Sequence, residues 1–508
     1  MGTVQLRGPG DAEAGHYGET PLGTQFPGSD SGASRAPSAL MVALLVLVLY
    51  AAFAHGANAD PAEARVQIGL SLLAAVAGAA WLWNGTIRVG ARSAMLAGLA
   101  LLAAFAVWSA ITLLWSVAPN QTWLELNRDL AYVIVLALSI AAGASHRRPV
   151  QTIATGYLLV ALVVTVYALG QKVVPGLHIS GLFDLNQTAT FARLQAPLDY
   201  WNALALFIIF AVPIALVIAV DSARPRRMRI ASLLAVELML LVIGLTYSRG
   251  ALIALVVAVA VSIRFGGAWL KTLVLLAAAA LAMVLPLWMA LSVHSLSGSG
   301  ISLGDREVGG AELALVLLLS LLALFAAGQR LLDREAHIAL SPERARRLAR
   351  LLLAGVGVAV VIFLIALAFS SRGLTGSIAH AWDSFTTAHT TANVDVPNIS
   401  VSSGNRWVWW QEAIGAWSDR PFGGWGAGSF AVLDPLYRIN GHLSVQDAHS
   451  VPLQWLAETG LLGGVLAIGG YALLLGGGLE ATRRATGIER AFAAALLAAG
   501  VAYAIHAF

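Results

Sequence analysis

The sequence predicts an all-α polytopic membrane protein, and three observations lead to this class. Of the 508 residues, 58% are hydrophobic and only 11% are charged, and the mean hydropathy is +0.77. A soluble globular protein has about 25% charged residues, so this composition excludes a soluble multidomain enzyme. The apolar residues also fall into runs long enough to cross a bilayer. The chain has no cysteine, which excludes disulfide frameworks, zinc–thiolate sites and iron–sulfur clusters.

Apolar runs of about 17 to 25 residues predict about 13 transmembrane helices. The eighth run is short and the twelfth is long, which predicts a break or a tilt in those two helices. In chain order, the runs are 39–55, 67–84, 94–117, 129–144, 152–170, 201–220, 230–246, 250–263, 272–292, 311–328, 351–370, 451–478 and 491–508.

The segments between these runs divide the chain. Residues 1–38 are rich in Gly, Ser and Pro and lack periodicity, which predicts a disordered cytoplasmic tail. Residues 39–370 hold the first eleven predicted spans, and 449–508 hold the last two. Between them, 371–448 is the largest polar segment and is long enough for a helical extracytoplasmic subdomain, with an amphipathic stretch at 406–417.

The distribution of positive charge predicts the orientation. When the spans alternate from a cytoplasmic N-terminus, 21 of the 31 basic residues fall in cytoplasmic segments, as the positive-inside rule requires. This places the protein in the cytoplasmic (inner) membrane. The cytoplasmic loops are short, and no P-loop or dinucleotide fingerprint is present, so ATP hydrolysis is not expected. A net charge of only +4 gives no indication of nucleic-acid binding.

Three of the ten basic residues left outside stand at the edge of a predicted span or loop helix. Arg249 follows Tyr247-Ser248 in a break with almost no loop around it, where a charge is costly unless it is paired or hydrated. Arg193 precedes the sixth span, and Arg406 opens a tryptophan-rich stretch. Each has a simpler interpretation: snorkelling for Arg249, contact with a lipid phosphate for Arg193, and a helix on the membrane surface for Arg406.

His449, just before the twelfth span, is the outer side chain best suited to general-base chemistry near neutral pH. The Gly-rich turn at 421–430 has backbone N–H groups that could cradle an anion. One planar guanidinium group can bind two phosphate oxygens at once through parallel hydrogen bonds. Three arginines and one histidine that converge at headgroup depth therefore suit the diphosphate of a lipid-linked substrate.

Three motifs carry a resemblance to a known family. They are Tyr247-Ser248-Arg249-Gly250-Ala251, then Arg406-Trp407 followed by the stretch 419–430 (DRPFGGWGAGSF), and finally 447–463 (DAHSVPLQWLAETGLLG). In this order they resemble the O-antigen ligase / O-antigen polymerase family of membrane glycosyltransferases, over about residues 190 to 480. The resemblance implies a GT-C-like fold and transfer of a glycan from a polyprenyl (undecaprenyl) diphosphate carrier to an acceptor, with no metal or other cofactor.

The resemblance also implies roles for individual residues. Arg249 and Arg406 match arginines that hold the diphosphate, and His449 matches the histidine that activates the acceptor hydroxyl, so that transfer is one displacement with inversion. The remaining residues predicted to contact substrate are Arg193, Asn202, Ser248, Arg420, Gly424, Gly426 and Asp447.

The sequence departs from the family pattern at two places. Ser450 stands where many relatives have Asn, which leaves Asp447 to orient the imidazole. The chain stops at Phe508 at the edge of a span, whereas the family usually continues, so we expect the native chain to extend further. The outer segments have no DxD motif, and a metal site is therefore not expected.

Several functions remain open. Ligase and polymerase differ only in the acceptor, which could be a lipid, a protein side chain or the growing glycan. A transporter of lipid-linked glycans would concentrate ionisable groups at the membrane midplane, where Glu237 is the main example. A membrane scaffold fits the span count but gives no reason for the interfacial arginines.

Overall fold

The computed structural model describes residues 35–84, 93–144, 146, 148–181, 183–189, 192–335, 342–388 and 402–507. Most of the predicted tail, residues 1–34, lies outside these ranges.

Helices dominate the described chain, and the only paired strands within it are two short ones. The strands are β1 (His178–Ile179) and β2 (Phe183–Asp184), and 3-10 turns lie at His55–Ala57 and Asn186–Ala189. The helices are α1 (Arg35–Phe53), α2 (Ala62–Asn84), α3 (Ser93–Thr112), α4 (Pro119–Ala144), α5 (Pro149–Val173), α6 (Trp201–Ile209), α7 (Val212–Val220), α8 (Arg226–Leu245), α9 (Arg249–Gly266), α10 (Trp269–Ser292), α11 (His294–Ser297), α12 (Leu303–Asp333), α13 (Pro342–Ala368), α14 (Gly373–Thr386), α15 (Arg406–Asp419), α16 (Phe430–Tyr437), α17 (Val451–Arg484) and α18 (Gly487–His506).

Eleven helical segments of the described chain are long and apolar enough to cross a membrane, counting α6 and α7 as one. The count reaches 12 if the end of α13 and the whole of α14, which meet at a bend of 95°, are taken as one broken span. The apolar part of α1 covers only Ala39–Phe53. The structure therefore fits a polytopic all-α membrane protein, but the predicted 13 spans are not confirmed, because the first predicted helix is short and the eleventh is followed by a sharp bend.

The breaks in the helices follow from the local sequence. Gly460 has φ 68° and ψ −171° inside α17, a conformation open essentially to glycine alone, so the predicted break in the twelfth span is confirmed. The eighth predicted span is an unbroken helix, α9. The sixth is divided between Ile209 and Val212, just before Pro213, which has no N–H to continue the helical ladder.

The main core lies among α5, α7, α8, α10 and α12, and α18 packs along α9 at its side. The two helices of this pair run antiparallel. At one end, Arg490 Nε donates to the Phe265 carbonyl at 2.7 Å, and a Cβ on Gly266 would lie 3.5 Å from Ala491 Cα. Arg249 and His506 consequently stand together at the opposite end of the pair.

Glu237 is fully buried in α8, where Ser320 Oγ of α12 donates a hydrogen bond to its Oε1 at 2.5 Å. A buried carboxyl must find a hydrogen-bond partner. The residue that stood out at the predicted midplane thus forms part of the contact between α8 and α12.

The predicted helical stretch at 406–417 is present as α15. Beyond it, the Gly-rich turn leads into α16 and then into the loop that carries His449. A small apolar core, which includes Ala413, Phe430, Leu433 and Ala448, packs these elements against the start of α17.

Candidate active site

His449 lies in a tight turn immediately before α17. Its backbone has φ 51°, the left-handed region that few residues other than glycine adopt. Its imidazole packs against the indole of Trp409, with ring centroids 4.8 Å apart. The turn therefore presents the ring of His449 to α15, the helix that begins with Arg406.

The pKa of His449 lies below its ordinary value of 6.5. Burial is the largest cause, the positive charge of Arg406 adds to it, and the negative charge of Asp447 opposes both. The imidazole is consequently neutral at pH 7, the form in which one ring nitrogen can accept a proton. Arg406, Asp447 and His449, three of the predicted residues, are thus brought together.

His506, near the end of α18, is a second imidazole that acts electrostatically with Arg406. The adjacent Ala507 carbonyl accepts a hydrogen bond from Val451 N at 2.9 Å, which joins the end of α18 to the start of α17. Sequence analysis missed His506, because it lies inside the last apolar run. The only signal was an imidazole at the outer end of a predicted span.

Four other predicted residues meet at the turn between α8 and α9. Ser248 caps α9, since its Oγ accepts from Ala251 N at 3.3 Å, and the same hydroxyl donates to Asn202 Oδ1 at 2.6 Å. Arg193 Nε donates to the Thr246 carbonyl at 3.0 Å. Arg249, the first residue of α9, is exposed.

Two aromatic side chains also contribute to this turn. The guanidinium carbon of Arg193 lies 4.1 Å from the ring centroid of Trp201 and 5.9 Å from that of Tyr247, within the range of cation–π attraction. Arg193 and Asn202 thus bind the segment that leads into α6 to the turn that presents Arg249, and Ser248 caps the helix that Arg249 begins.

The two groups of residues lie at the same end of the bundle. Arg249 stands where α18 ends, since α9 and α18 are antiparallel, and the end of α18 is joined to α17 beside His449. His506, in turn, interacts with Arg406. The end of α18 therefore connects the Arg249 turn to the His449 turn.

The Gly-rich turn holds a carboxyl group that belongs to the protein itself. Gly428 N and Phe430 N donate to the two carboxylate oxygens of Glu458, at 2.8 and 3.1 Å, and Gly426 N donates to the Glu458 carbonyl at 2.8 Å. Glu458 is 3% exposed. The predicted anion cradle is thus occupied by the carboxyl group of Glu458, and binding of a substrate anion there stays a prediction.

Gly424 and Gly426 have a structural reason to be glycine. Their φ angles are 64° and 111°, and a Cβ would lie 2.3 Å from the Glu458 carbonyl oxygen and from Ser116 Oγ, respectively. This close packing against α17 and the α3–α4 loop accounts for both glycines without a substrate, and their contact with substrate stays a prediction.

Arg420 and Asp447 lie near the surface of the same subdomain. The Arg420 guanidinium stacks at 3.9 Å over the indole of Trp425, in the Gly-rich turn. Asp447 Oδ1 accepts a hydrogen bond from Gln454 Nε2 at 3.4 Å, so the predicted orienting residue acts on His449 through its charge.

Other cations that were predicted to lie on the outer side have partners within the protein. Arg128 forms a paired contact with Glu63, with both nitrogen–oxygen distances 3.0 Å, and also binds Glu125 at 2.6 Å. Arg306 is buried and donates to Thr188 Oγ1 at 2.6 Å. Within the described ranges, no group of three or more His, Asp or Glu has the arrangement of a metal site.

The fold and the site together define a class: an all-helical membrane protein with an arginine- and histidine-lined site at one end of its bundle. Residues 305–468 match the family model described as O-antigen ligase (Wzy_C). This confirms the resemblance over that segment. The match runs from α12 into α17 and contains Arg406 and His449, whereas Arg193 and Arg249 precede it. No curated protein matches the chain significantly.

Proposed function

We propose that this protein is a membrane glycosyltransferase of the O-antigen ligase type. It moves a glycan from a polyprenyl (undecaprenyl) diphosphate carrier to an acceptor hydroxyl or amide at the outer face of the cytoplasmic membrane. The observation that carries the proposal is the neutral imidazole of His449 beside the guanidinium of Arg406, within the segment that matches the family.

The proposed reaction is a single displacement at the anomeric carbon. The acceptor oxygen attacks this carbon while its proton passes to a ring nitrogen of His449. The bond between the anomeric carbon and the diphosphate oxygen breaks, and its electron pair leaves with the polyprenyl diphosphate. Because attack and departure occur on opposite faces, the configuration of the anomeric carbon is inverted.

The arginines supply the charge that this leaving group needs. Negative charge develops on the diphosphate as the bond breaks, and fixed cations aimed at it lower the barrier. Arg249 and Arg406 reach the same end of the bundle from separate parts of the chain, and Arg193 steadies the Arg249 turn. In this proposal they take the place of a divalent cation, so transfer is independent of metal.

A polymerase of the same family would use the same donor and the same residues. It would differ in the acceptor, which would be the non-reducing end of a growing glycan instead of a lipid or a protein. The acceptor assay below separates these two functions.

The test is transfer in proteoliposomes that contain an undecaprenyl-diphosphate glycan and each candidate acceptor. We expect His449→Ala and Arg249→Ala to abolish transfer, whereas His442→Ala, in the exposed part of the same loop, retains it. NMR of the product should show an inverted anomeric centre, and EDTA should leave the rate unchanged. Full transfer by both site variants would overturn the proposal, and uptake of the lipid-linked glycan without transfer would favour a transporter.

A further inference from the structure

The side chain of Gln454, in the first turn of α17, connects the His449 turn to the Gly-rich turn. Its Oε1 accepts a hydrogen bond from Ala448 N at 3.2 Å. Its Nε2 donates to Asp447 Oδ1 at 3.4 Å and to Glu458 Oε1 at 3.1 Å. One amide therefore touches both residues that precede His449 and the carboxylate that holds the Gly-rich turn.

The chemistry around this amide allows only one orientation. Two carboxylate oxygens accept hydrogen bonds on one side, and a backbone N–H donates on the other. A reversed amide would place its carbonyl against both carboxylates and its NH₂ group against another donor. Glutamine supplies a donor and an acceptor at this length in one neutral group, which neither leucine nor glutamate can do.

The turn that carries His449 needs such support. A left-handed conformation is unfavourable for a residue other than glycine, and His449 adopts one at φ 51°. The hydroxyl of Ser450, which is 1% exposed, has no hydrogen-bond partner among the described residues and does not cap α17. The turn therefore has no side-chain cap to hold it at the start of α17. The hydrogen bond from Ala448 N to Gln454 Oε1 holds it instead.

The other end of the connection is fixed. Glu458 accepts two backbone hydrogen bonds from the Gly-rich turn in addition to that from Gln454. A continuous path thus runs from the Gly-rich turn through Glu458 and Gln454 to Asp447 and Ala448, which directly precede His449.

We infer that Gln454 is the positioning residue of His449. Its amide fixes the backbone of the turn and keeps the carboxylate of Asp447 within electrostatic reach of the imidazole. It therefore controls both the place and the proton affinity of the proposed general base. This inference rests on the proposed function, because it concerns how the base of that reaction is held.

The test compares Gln454→Leu with Gln411→Leu, a substitution of the same kind at an exposed position of α15. We expect Gln454→Leu to lower kcat roughly 10- to 100-fold, as misplaced catalytic groups do, while the KM for the lipid-linked donor stays the same. The acid limb of the pH–rate profile should move to lower pH, since Asp447 is no longer held near His449. Gln411→Leu should match the unmodified protein.

A second variant distinguishes the loss of these hydrogen bonds from a loss of folding. Gln454→Glu keeps the length of the side chain and the acceptor for Ala448 N, but it cannot donate to Asp447 and Glu458 at neutral pH. We expect it to fold, as judged by a monodisperse elution profile, and to show the same fall in kcat. Unchanged kcat and an unchanged pH profile in both Gln454 variants, with His449→Ala inactive, would overturn this inference alone. Normal transfer by His449→Ala would overturn the proposed function as well.

Discussion

The protonation of His449 is set by the balance of three neighbouring contributions. Burial and Arg406 lower the pKa of the imidazole, whereas Asp447 raises it. Because the neutral form is the one that accepts a proton, any change that lowers this pKa extends activity to more acidic conditions. The effect of each neighbour can therefore be read from the acid limb of the pH–rate profile.

Asp447→Asn removes the one contribution that raises the pKa of His449. We expect the acid limb of the transfer rate to move to lower pH, while the rate on the neutral plateau stays close to that of the unmodified protein. The measurement is the transfer rate between about pH 5 and pH 8, the range in which a histidine titrates. Asp383→Asn, at an exposed position of α14, is the control and should leave the limb in place. A limb that moves to higher pH would contradict the assigned role of the Asp447 charge.

Some of these residues could be predicted from the sequence, and the reason lies in their chemistry. His449 and Arg406 have side chains whose reactivity or charge is unusual at a membrane edge, so residue type and position were enough to single them out. Gln454 is an ordinary polar residue, and its importance comes only from the groups it touches. The Gly-rich turn was predicted to hold an anion, but a sequence does not say that Gly428 N and Phe430 N donate to the carboxyl group of Glu458 in α17.

At the scale of elements, hydropathy predicted where the helices lie, but not how each one ends. The runs of apolar residues are long and unmistakable, whereas a bend depends on contacts made elsewhere. Gly460 illustrates this: the length of the twelfth apolar run predicted a break or a tilt, but the place of the break is fixed by the Gly-rich turn. Leu461 N donates to the Pro421 carbonyl at 2.7 Å, a bond that an unbroken helix could not make.

Gly460→Ala should disrupt this junction. The substitution places a Cβ at φ 68° and 2.2 Å from the Phe422 carbonyl oxygen, so we expect a loss of about 3 kcal/mol or more from strain and overpacking together. The measurement is thermal unfolding in detergent, together with the yield of monodisperse protein.

The matched control is Gly476→Ala in the same helix, where a Cβ meets no atom within 4 Å. Alanine is favoured over glycine by roughly 1 kcal/mol in a helix interior, so this variant should be as stable as the unmodified protein or more so. Equal stability of the two variants would show that the break in α17 is not held by its contact with the Gly-rich turn.

The helix α14 was not separated from the rest of the outer segment by sequence analysis. It leaves α13 at a bend of 95° and exposes an apolar stripe at Leu374, Ile378 and Trp382. Trp382 also contacts Trp407, next to Arg406, with ring centroids 5.2 Å apart. An amphipathic helix perpendicular to a preceding span is typical of the membrane interface, so α14 should lie along the outer surface with this stripe in the lipid.

The absence of cysteine from the sequence allows this placement to be tested directly. A spin label at Ile378→Cys should be accessible to oxygen, which dissolves in lipid, and protected from a water-soluble nickel chelate. His380→Cys, on the opposite and exposed face of the helix, should show the reverse. Equal accessibility of the two labels to the nickel chelate would mean that α14 stands free of the bilayer.

At the scale of the whole molecule, the site depends on packing that no local pattern encodes. The α9–α18 and α17–α18 contacts bring residues near 249, 406, 449 and 506 to one end of the bundle. The sequence predicted that the arginines and the histidine share one side of the membrane, because span counting assigns each loop to a side. It could not predict that α18 joins them, since helix neighbours in a bundle are decided by the fit of whole surfaces.

The orientation of this end is the property on which the chemistry of the donor depends. An outward-facing site has no access to ATP or nucleotide sugars and must use a donor that is already activated, whereas a cytoplasmic site would have no such need.

His442 lies in the exposed loop that leads to His449, and Arg227 lies at the start of α8, at the opposite end of the bundle. In intact cells, a membrane-impermeant maleimide should therefore label His442→Cys and leave Arg227→Cys unlabelled until the membrane is permeabilised. The reverse pattern would place His449, Arg249 and Arg406 on the cytoplasmic side, where a polyprenyl-linked glycan on the outer leaflet could not reach them. Both the orientation predicted from the positive-inside rule and the proposed donor would then be wrong.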